Sequence, residues 1–239
     1  MKYVSWNMGC APSMAKYRKT HPEAWQYLLA ELRPDVALVQ EALFSAVPMS
    51  MPGGQLFWSE DRGSESGSAI FVRDGLAATR VALQSKGSYV AAVQLTVGGS
   101  PTLVASVHVG PPDYKKHLRM LADGLSEAVD GRRFVVGGDF NAARHWDDVY
   151  GGCWYTNYFD DLAQRRFHDC HWAQHGKEVQ SFWGHQAREA YQCDHLFVDP
   201  ATAPHVSDCA IVDNADVRRL SDHGPIQLTI RDTDEGPPR

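Results

Sequence analysis

Short apolar runs of strand length recur along this chain and favour a strand-rich fold. The runs are KYVSWN, DVALVQE, GSAIFVR, SYVAAVQLTV, PTLVASVHV, RRFVVGGDF, SFWG, QCDHLFV, DCAIV and GPIQLTI. Alternating side chains within the runs and turn residues between them predict β-strands. Apolar residues at helical spacing in EAWQYLLAELRP and DYKKHLRMLADGLSEAV predict two helices. This order of elements predicts two packed sheets with helices on the outside, in one domain.

The length of the chain, 239 residues, is sufficient for one large α/β domain with a sizeable core. We assign residues 1–231 to this domain and predict a disordered tail at 232–239, where charge and proline are concentrated. No apolar run approaches the length needed to cross a bilayer, and MKYVSWNMG lacks the features of a signal peptide. We therefore expect a cytoplasmic protein without membrane contact.

Charge and cysteine usage narrow the class of protein further. The net charge of −6 argues against broad nucleic-acid affinity, although a local basic patch is compatible with it. The five cysteines are Cys10, Cys153, Cys170, Cys193 and Cys209. They form no CxxC pair, which predicts free thiols rather than a disulfide framework or a thiolate zinc site. A zinc site could also be sought at His168, Cys170, His171 and His175, but a second ordered pair is missing and surface histidines are the favoured interpretation.

Polar side chains at the ends of the apolar runs are the candidate functional residues. They are Asn7, Glu41, His108, Asp139, Asn141, Asp194, Asp222 and His223. Each has a structural alternative: GGDFN could form an Asx turn, SDH before Gly-Pro could be an ordinary turn, and a lone histidine is usually a core residue. Their combination, however, matches the needs of one chemistry, the hydrolysis of a phosphoester.

Phosphoester hydrolysis requires a cation, a group that positions or deprotonates water, and donors for the phosphoryl oxygens. Mg²⁺ prefers carboxylates, for which Glu41 and Asp222 are the candidates. Asp139 is placed to act on the water. Asn7, Asn141 and His108 could hold the phosphoryl oxygens, and Asp194 could fix the tautomer and charge of His223.

The motifs SWN, VQE, SVHVGPPD, GGDFN, SFW, CDHLFV and LSDHGP occur in this order between residues 5 and 225. With them the sequence resembles the endonuclease/exonuclease/phosphatase superfamily, and the order of the motifs is more specific than any one of them. The resemblance implies a DNase I-like fold: a four-layer α/β sandwich of two mixed β-sheets packed face to face with helices outside. It also implies a phosphoesterase that uses Mg²⁺ or Mn²⁺.

The resemblance also implies a role for each strand-end residue. Glu41 would be the principal metal ligand, with Asn7 and Asp222 nearby in the metal shell. Asp139 matches the aspartate that orients or deprotonates the attacking water, or that handles the leaving group. Asn7 is also a candidate for binding substrate.

On the substrate side, the resemblance assigns phosphate contacts to Asn141 and His108. His223, oriented by Asp194, would stabilise the transition state, and the choice between Asp139 and His223 as the base stays open. Arg144, beside the DFN loop, is a further candidate for binding a distal phosphate of the substrate.

The sequence departs from relatives at three positions. Gly9 stands where AP-endonuclease types carry an acid, which puts a second metal site in doubt. The strand KGSYVAAVQL offers no acid to support His108, so a phosphate contact is the expected role of that histidine. Gln192 stands where many nucleases of the family have an arginine, which weakens an automatic nuclease assignment.

Substrate choice is expected between His145 and Gln192, a segment rich in Trp, Tyr and His. These aromatic residues could stack on a base or fill the core, and both interpretations stay open. Lys115 and Lys116, just beyond His108, could meet a distal phosphate, although solvated charge is the favoured role.

We expect a metal-dependent phosphodiesterase or nuclease that acts on DNA or nucleotide-like substrates. The alternative is an enzyme for a small phosphorylated metabolite, which the acidic charge and Gln192 favour; a catalytically inactive binding module is a third class. The expected partner is a phosphoester substrate, with nucleic acid as the first candidate. No obligate protein partner is expected.

Overall fold

A computed structural model describes residues 1–9, 15–46, 53–59, 65–83, 88–129, 131–184 and 191–231. The predicted tail at 232–239 lies outside the described residues. Two sheets of six strands each form the centre of the molecule. No helix in the described part is long and apolar enough to cross a membrane.

The first sheet is mixed and begins with the N-terminal strand. Its spatial order is β11 (Val206–Ile211), β12 (Ile226–Ile230), β1 (Lys2–Asn7), β2 (Val36–Leu43), β4 (Ser66–Arg73) and β3 (Gly54–Trp58). β1 and β2 run parallel, with Asn7 opposite Gln40. The other neighbours pair antiparallel.

The second sheet has the same arrangement of one parallel pair among antiparallel neighbours. Its spatial order is β5 (Ala78–Arg80), β6 (Ser88–Val97), β7 (Ser100–Val109), β8 (Arg133–Asp139), β10 (Asp194–Val198) and β9 (His168–Asp169). β7 and β8 run parallel, with His108 opposite Asp139. β10 runs antiparallel to β8 and places Asp194 opposite the same Asp139.

Six α-helices complete the described fold: α1 (Ala15–Tyr27), α2 (Tyr114–Ala128), α3 (His145–Tyr150), α4 (Trp154–Gln164), α5 (Cys170–His175) and α6 (Ala215–Leu220). Apolar residues of the two sheets form a core between them, for example Leu38 with Val104 and Leu196. A second core lies between α2, α4 and the second sheet, and a third between α1, α6 and the first sheet. These three cores confirm the predicted four-layer sandwich.

Some elements differ from the sequence prediction. The first helix begins at Ala15 rather than Glu23, includes Pro22, and continues as a π-helical turn at Leu28–Leu32. SFWG is not a strand, because Phe182 makes only isolated bridges to Tyr191 and His223. Helices α3 to α6 were not predicted, since each is short or carries large aromatic residues without a clear helical period.

Helix α5 covers an exposed strand edge. Cys209 lies on β11, an edge strand of the first sheet. Its backbone N–H donates to Gln174 Oε1 at 2.7 Å, and its carbonyl accepts from His175 Nε2 at 2.8 Å. Polar groups of an open edge invite pairing with another chain unless they are covered, so these two side chains close part of that edge.

Gly138 allows β8 to lie against β7. Its φ is +152°, and a Cβ at this position would lie 1.8 Å from the carbonyl oxygen of Val107. The neighbouring atom is backbone of the strand that pairs with β8, so it cannot move aside. The glycine before Asp139 is therefore a requirement of strand pairing.

We predict that Gly138→Ala lowers the free energy of unfolding by more than about 3 kcal/mol, because a backbone clash adds to the strain of a positive φ. Gly75→Ala is the matched control, since Gly75 has a φ of +92° and nothing within 4 Å of its Cβ position. That variant should lose only about 1 kcal/mol. Denaturant unfolding of both variants measures the difference, and equal losses would contradict the clash.

Candidate active site

The parallel pairs of the two sheets end near one another and bring the predicted residues together. β1 ends at Asn7 beside β2, and β8 ends at Asp139 between His108 of β7 and Asp194 of β10. We call this group the strand-end site; its members are Asn7, Glu41, His108, Asp139, Asn141, Asp194, Asp222 and His223.

Asp139 is the centre of the strand-end site. It is 1% exposed. Its Oδ2 accepts from Asn7 Nδ2 at 2.9 Å and from Asn141 Nδ2 at 3.1 Å. The Nε2 atoms of His108 and His223 each lie 3.8 Å from the same oxygen. Two amides and two imidazoles thus surround one carboxylate.

Asn141 both completes a turn and contacts Asp139 of the strand-end site with its side chain. Its backbone N–H donates to Asp139 Oδ1 at 2.9 Å, which is the Asx turn that GGDFN allowed as an alternative. Its side-chain nitrogen donates to the carbonyl of Val109 at 3.0 Å as well as to Asp139. The φ of Asn141 is +47°, a conformation that non-glycine residues seldom adopt. The turn and the site therefore do not exclude each other.

Glu41 is directed into the site by an irregularity of β2. The pairing of β2 with β4 shifts between Val39 and Ala42, and Glu41 has a φ of +50°. A bulge of this kind changes the direction of a side chain at a sheet edge. Glu41 Oε1 lies 3.5 Å from His108 Nε2 and 3.4 Å from Asn7 Nδ2.

On the side of β6, His108 faces an aromatic ring rather than an acid. Tyr89 lies opposite it on β6, and the two rings stack with centroids 5.8 Å apart. This agrees with the missing acid in KGSYVAAVQL. Its Nε2 faces Glu41 and Asp139, and the phosphate contact of His108 stays a prediction.

His223 and Asp194 form a buried pair. His223 Nδ1 donates to Asp194 Oδ2 at 2.9 Å. Burial disfavours the imidazolium, but the carboxylates of Asp194 and Asp139 outweigh this effect and raise the pKa of His223 to about 10. Ser181 Oγ donates to the same Asp194 oxygen at 2.7 Å and accepts from the backbone N–H of Cys193. Sequence reasoning missed this role of Ser181, whose only signal was its place before FW.

Asp222 presents an oxygen that the described residues leave unsatisfied. Its Oδ1 is buried without a hydrogen-bond partner among them. Burial raises the pKa of Asp222, and the carboxylates of Glu41 and Asp139 contribute while His223 opposes. A Cβ on Gly9, which has a φ of +64°, would lie 2.5 Å from that oxygen. Gly9 therefore leaves the space in front of Asp222 open.

The donor set of the strand-end site fits a divalent metal ion. In the described part of the chain, two groups offer ligand atoms within 4.8 Å of one another: Glu41, His108 and Asp139, and Asp139, Asp194 and His223. Neighbouring carboxylates and an unsatisfied oxygen suit a hard cation. Asn7 fits less directly as a ligand, because its side-chain oxygen already accepts from the backbone of Gly9 at 2.9 Å.

Arg144 is held by protein groups rather than directed to the site. Its guanidinium lies 4.0 Å from the ring of Phe159 and 4.3 Å from that of Trp172. Nη1 lies 3.0 Å from Asp169 and 3.5 Å from Glu178. These contacts do not favour the predicted role in substrate binding, which stays a prediction.

Much of the aromatic segment fills the core. Tyr158 and Phe159 are buried against β8 and β10, and Trp146 packs edge-on against Tyr155 and Tyr191. Gln192, also in this segment, is 1% exposed and bonds to backbone groups. The core interpretation therefore holds for these residues.

The histidines and cysteines of the zinc alternative do not form a metal group among the described residues. The rings of His171 and His175 lie 4.4 Å apart at an angle of 37°, and His175 bonds to the backbone of Cys209. His171 is buried, contrary to the surface position that the sequence favours. The described cysteines Cys153, Cys170, Cys193 and Cys209 are free thiols, as expected.

The sequence model of the Endonuclease/Exonuclease/phosphatase family matches residues 4–223. The chain belongs to this family. Its members are hydrolytic phosphoesterases, and the chain is therefore a phosphoesterase enzyme. The match spans the strand-end site from β1 to His223. A search of curated proteins found no match.

Solved structures share the fold of this family member. An AP endonuclease, LMAP from Leishmania major, is 19% identical with a TM-score of 0.74, covering 96% of this chain and 87% of that one. The 3' phosphatase NExo from Neisseria, bound to a product DNA hairpin, is 20% identical with a TM-score of 0.71, covering 97% and 99%. A humanized TDP2 of D. rerio is 20% identical with a TM-score of 0.69, covering 97% and 98%.

A buried histidine supports the segment that carries Glu41. His21 Nε2 accepts from the backbone N–H of Leu43 at 3.2 Å, and the side chain is fully buried. Burial lowers the pKa of His21 to about 4. The folded chain therefore keeps this histidine neutral at pH values where the unfolded chain protonates it.

We predict that the free energy of unfolding decreases as the pH falls from about 6.5 to about 4, because His21 takes up a proton in the unfolded state before it does so in the folded state. The stability difference between wild type and His21→Gln should narrow by about 1 kcal/mol per pH unit in this window. Denaturant unfolding at several pH values measures it, with His168→Gln on β9 as the control. A constant difference would mean that His21 does not titrate this way.

Proposed function

We propose that this chain hydrolyses a phosphodiester bond of a nucleic acid by in-line attack of water on phosphorus, assisted by Mg²⁺ or Mn²⁺. The observation that supports it is the convergence of Glu41, Asp139 and Asp222 with the imidazoles of His108 and His223. These carboxylates would repel an anionic phosphate unless a cation stood between them. Metal dependence is therefore part of the proposal.

Glu41 and Asp222 are the residues that would hold the ion. Glu41 turns toward the site at the bulge of β2, and Asp222 Oδ1 is buried without a partner among the described residues. When bound, the ion would neutralise phosphate charge and polarise the phosphorus centre. Asn7 donates to Glu41 and to Asp139, so it keeps the metal ligand and the base at a fixed separation.

Asp139 is the residue that we assign to the attacking water. Asn7 and Asn141 fix the orientation of its carboxylate, which can accept a proton from water. His223 is less suited to be the base, because its Nδ1 donates to Asp194, whose charge favours the imidazolium. Nε2 of His223 and of His108 then donate toward charge that develops on the phosphoryl oxygens.

Nucleic acid is the preferred substrate because the named neighbours in fold include an AP endonuclease and a phosphatase bound to a DNA hairpin. The net charge of −6 favours the second candidate, a small phosphoester. A panel of supercoiled plasmid, single-stranded and abasic oligonucleotides, bis-p-nitrophenyl phosphate and p-nitrophenyl phosphate distinguishes them. Hydrolysis of the small esters alone would favour the second candidate.

We predict that Glu41→Gln lowers the affinity for Mn²⁺ by about tenfold or more, because it removes a charged oxygen ligand. Isothermal titration with Mn²⁺ measures this change, and Glu127→Gln, an exposed acid on α2, is the control. Activity on bis-p-nitrophenyl phosphate should be absent in EDTA and return with Mg²⁺ or Mn²⁺. Activity that persists in chelator, or unchanged Mn²⁺ affinity in Glu41→Gln, would contradict the metal assignment.

We predict that Asp139→Asn and His223→Ala each lower kcat by about 10²–10⁴-fold, because each removes a proton acceptor or a charged donor at the reacting phosphate. Steady-state kinetics on bis-p-nitrophenyl phosphate measure this loss. Thermal unfolding followed by circular dichroism verifies the fold, and His168→Ala is the control. Rates near those of wild type would remove the residue in question from the mechanism.

A further inference from the structure

The first half of α2 has a basic surface. Lys115, Lys116 and Arg119 are exposed, and no acidic residue occurs between Tyr114 and Ala122. The whole chain has a net charge of −6, so this patch is a local exception. Phosphate groups are the ligands that such clustered cations attract.

Two of these cations rest on aromatic rings. Lys115 Nζ lies 5.0 Å from the ring centre of Trp154 and 5.4 Å from that of Tyr155. Arg119 Cζ, one helical turn later, lies 5.5 Å from the ring centre of Trp154. We call these four side chains the cation shelf.

Packing against the core holds the Trp154 ring of the cation shelf in place. Trp154 stacks on Tyr158 with centroids 5.8 Å apart and an angle of 3° between the planes, and Tyr158 is buried in the core. Within the described residues, no carboxylate forms an ion pair with Lys115 or Arg119. Their charges are therefore held in position and remain available to an anion.

The cation shelf lies in the first half of α2, the helix that follows β7 and its residue His108. Tyr114 begins α2, and burial together with the carboxylates of Asp139 and Glu41 raises the pKa of its phenol. Burial raises the pKa of the Tyr155 phenol as well, with contributions that include Asp147, Cys193 and Tyr114. His117 of α2 bonds to the carbonyl of Gly110 at 2.7 Å, and the neighbouring carbonyl of Val109 accepts from Asn141 of the strand-end site at 3.0 Å. The first turn of α2 is therefore close to the strand-end site.

We propose that Lys115 and Arg119 bind phosphates that flank the scissile phosphate, so that the preferred substrate is a polynucleotide strand rather than a mononucleotide or a small ester. This inference rests on the proposed function. Contact between an exposed cation and a ring is weaker than a charge-assisted hydrogen bond to phosphate, so the rings place the cations without competing with the ligand. Placement in advance also reduces the side-chain entropy lost on binding.

The test uses the full chain and a fluorescein-labelled ten-residue oligothymidylate. Fluorescence anisotropy in EDTA gives its affinity at several salt concentrations without hydrolysis. Lys115→Ala/Arg119→Ala should weaken binding by about tenfold, and the slope of log K against log salt should fall by about 1.4, or about 0.7 for each phosphate that is no longer bound. With metal present, the loss of kcat/KM on the oligonucleotide should exceed that on bis-p-nitrophenyl phosphate by about tenfold.

Two controls distinguish the cations of the cation shelf from other exposed basic residues. Lys116→Ala removes an exposed charge of α2 that contacts no aromatic ring among the residues the structure describes, and Arg132→Ala removes one beyond the other end of that helix. Both should change affinity and salt slope much less than the double variant does. Equal effects of the double variant and of the controls would overturn the cation shelf as a binding site.

Different experimental results would contradict phosphate binding by the cation shelf and the proposed hydrolysis. Metal-dependent hydrolysis of bis-p-nitrophenyl phosphate with no measurable affinity for the oligothymidylate would overturn the inference alone. Salt-dependent binding that the double variant weakens, without hydrolysis of any ester, would support the shelf as a binding surface and contradict the proposed hydrolysis.

Discussion

The strand-end site depends on the register of β8 with the strands on both sides of it. Parallel pairing with β7 places His108 opposite Asp139, and antiparallel pairing with β10 places Asp194 opposite the same residue. A shift of one residue would turn the side chains of a neighbouring strand to the other face of the sheet. Gly138 permits the pairing, because any Cβ there would meet the backbone of Val107. Backbone hydrogen bonds thus position three side chains of the strand-end site.

The cluster of acids that results is unfavourable by itself, and the fold opposes the repulsion with donors. Asp139 accepts from two amides, and Asp194 accepts from His223 and Ser181. Asp222 keeps an oxygen that no described residue satisfies. A bound cation would stabilise the remaining negative charge. Repulsion among the carboxylates is therefore also the origin of the proposed metal dependence.

The sequence predicted the elements that follow from local patterns of residues. Apolar strands that end in Asn7, Glu41, His108 and Asp139 could be identified because side-chain alternation and strand ends are local properties. Arg144 could not be placed in this way, since its ion pairs come from residues 25 and 34 positions away. Ser181 and His21 were missed for the same reason: a buried hydrogen bond to a distant segment leaves no periodic signal.

Net charge is a poor guide to the substrate of this chain, because its acidic and basic side chains are clustered in different places. The acids Glu41, Asp139 and Asp222 converge where a cation would reverse their effect on a phosphate, whereas Lys115 and Arg119 lie on α2, the helix that follows β7. At physiological ionic strength a surface charge acts over about 8 Å. Acids elsewhere on the surface therefore contribute little at the reacting phosphate. The local arrangement permits an acidic chain to bind a polyanion, provided that the metal and the cation shelf act on neighbouring phosphates.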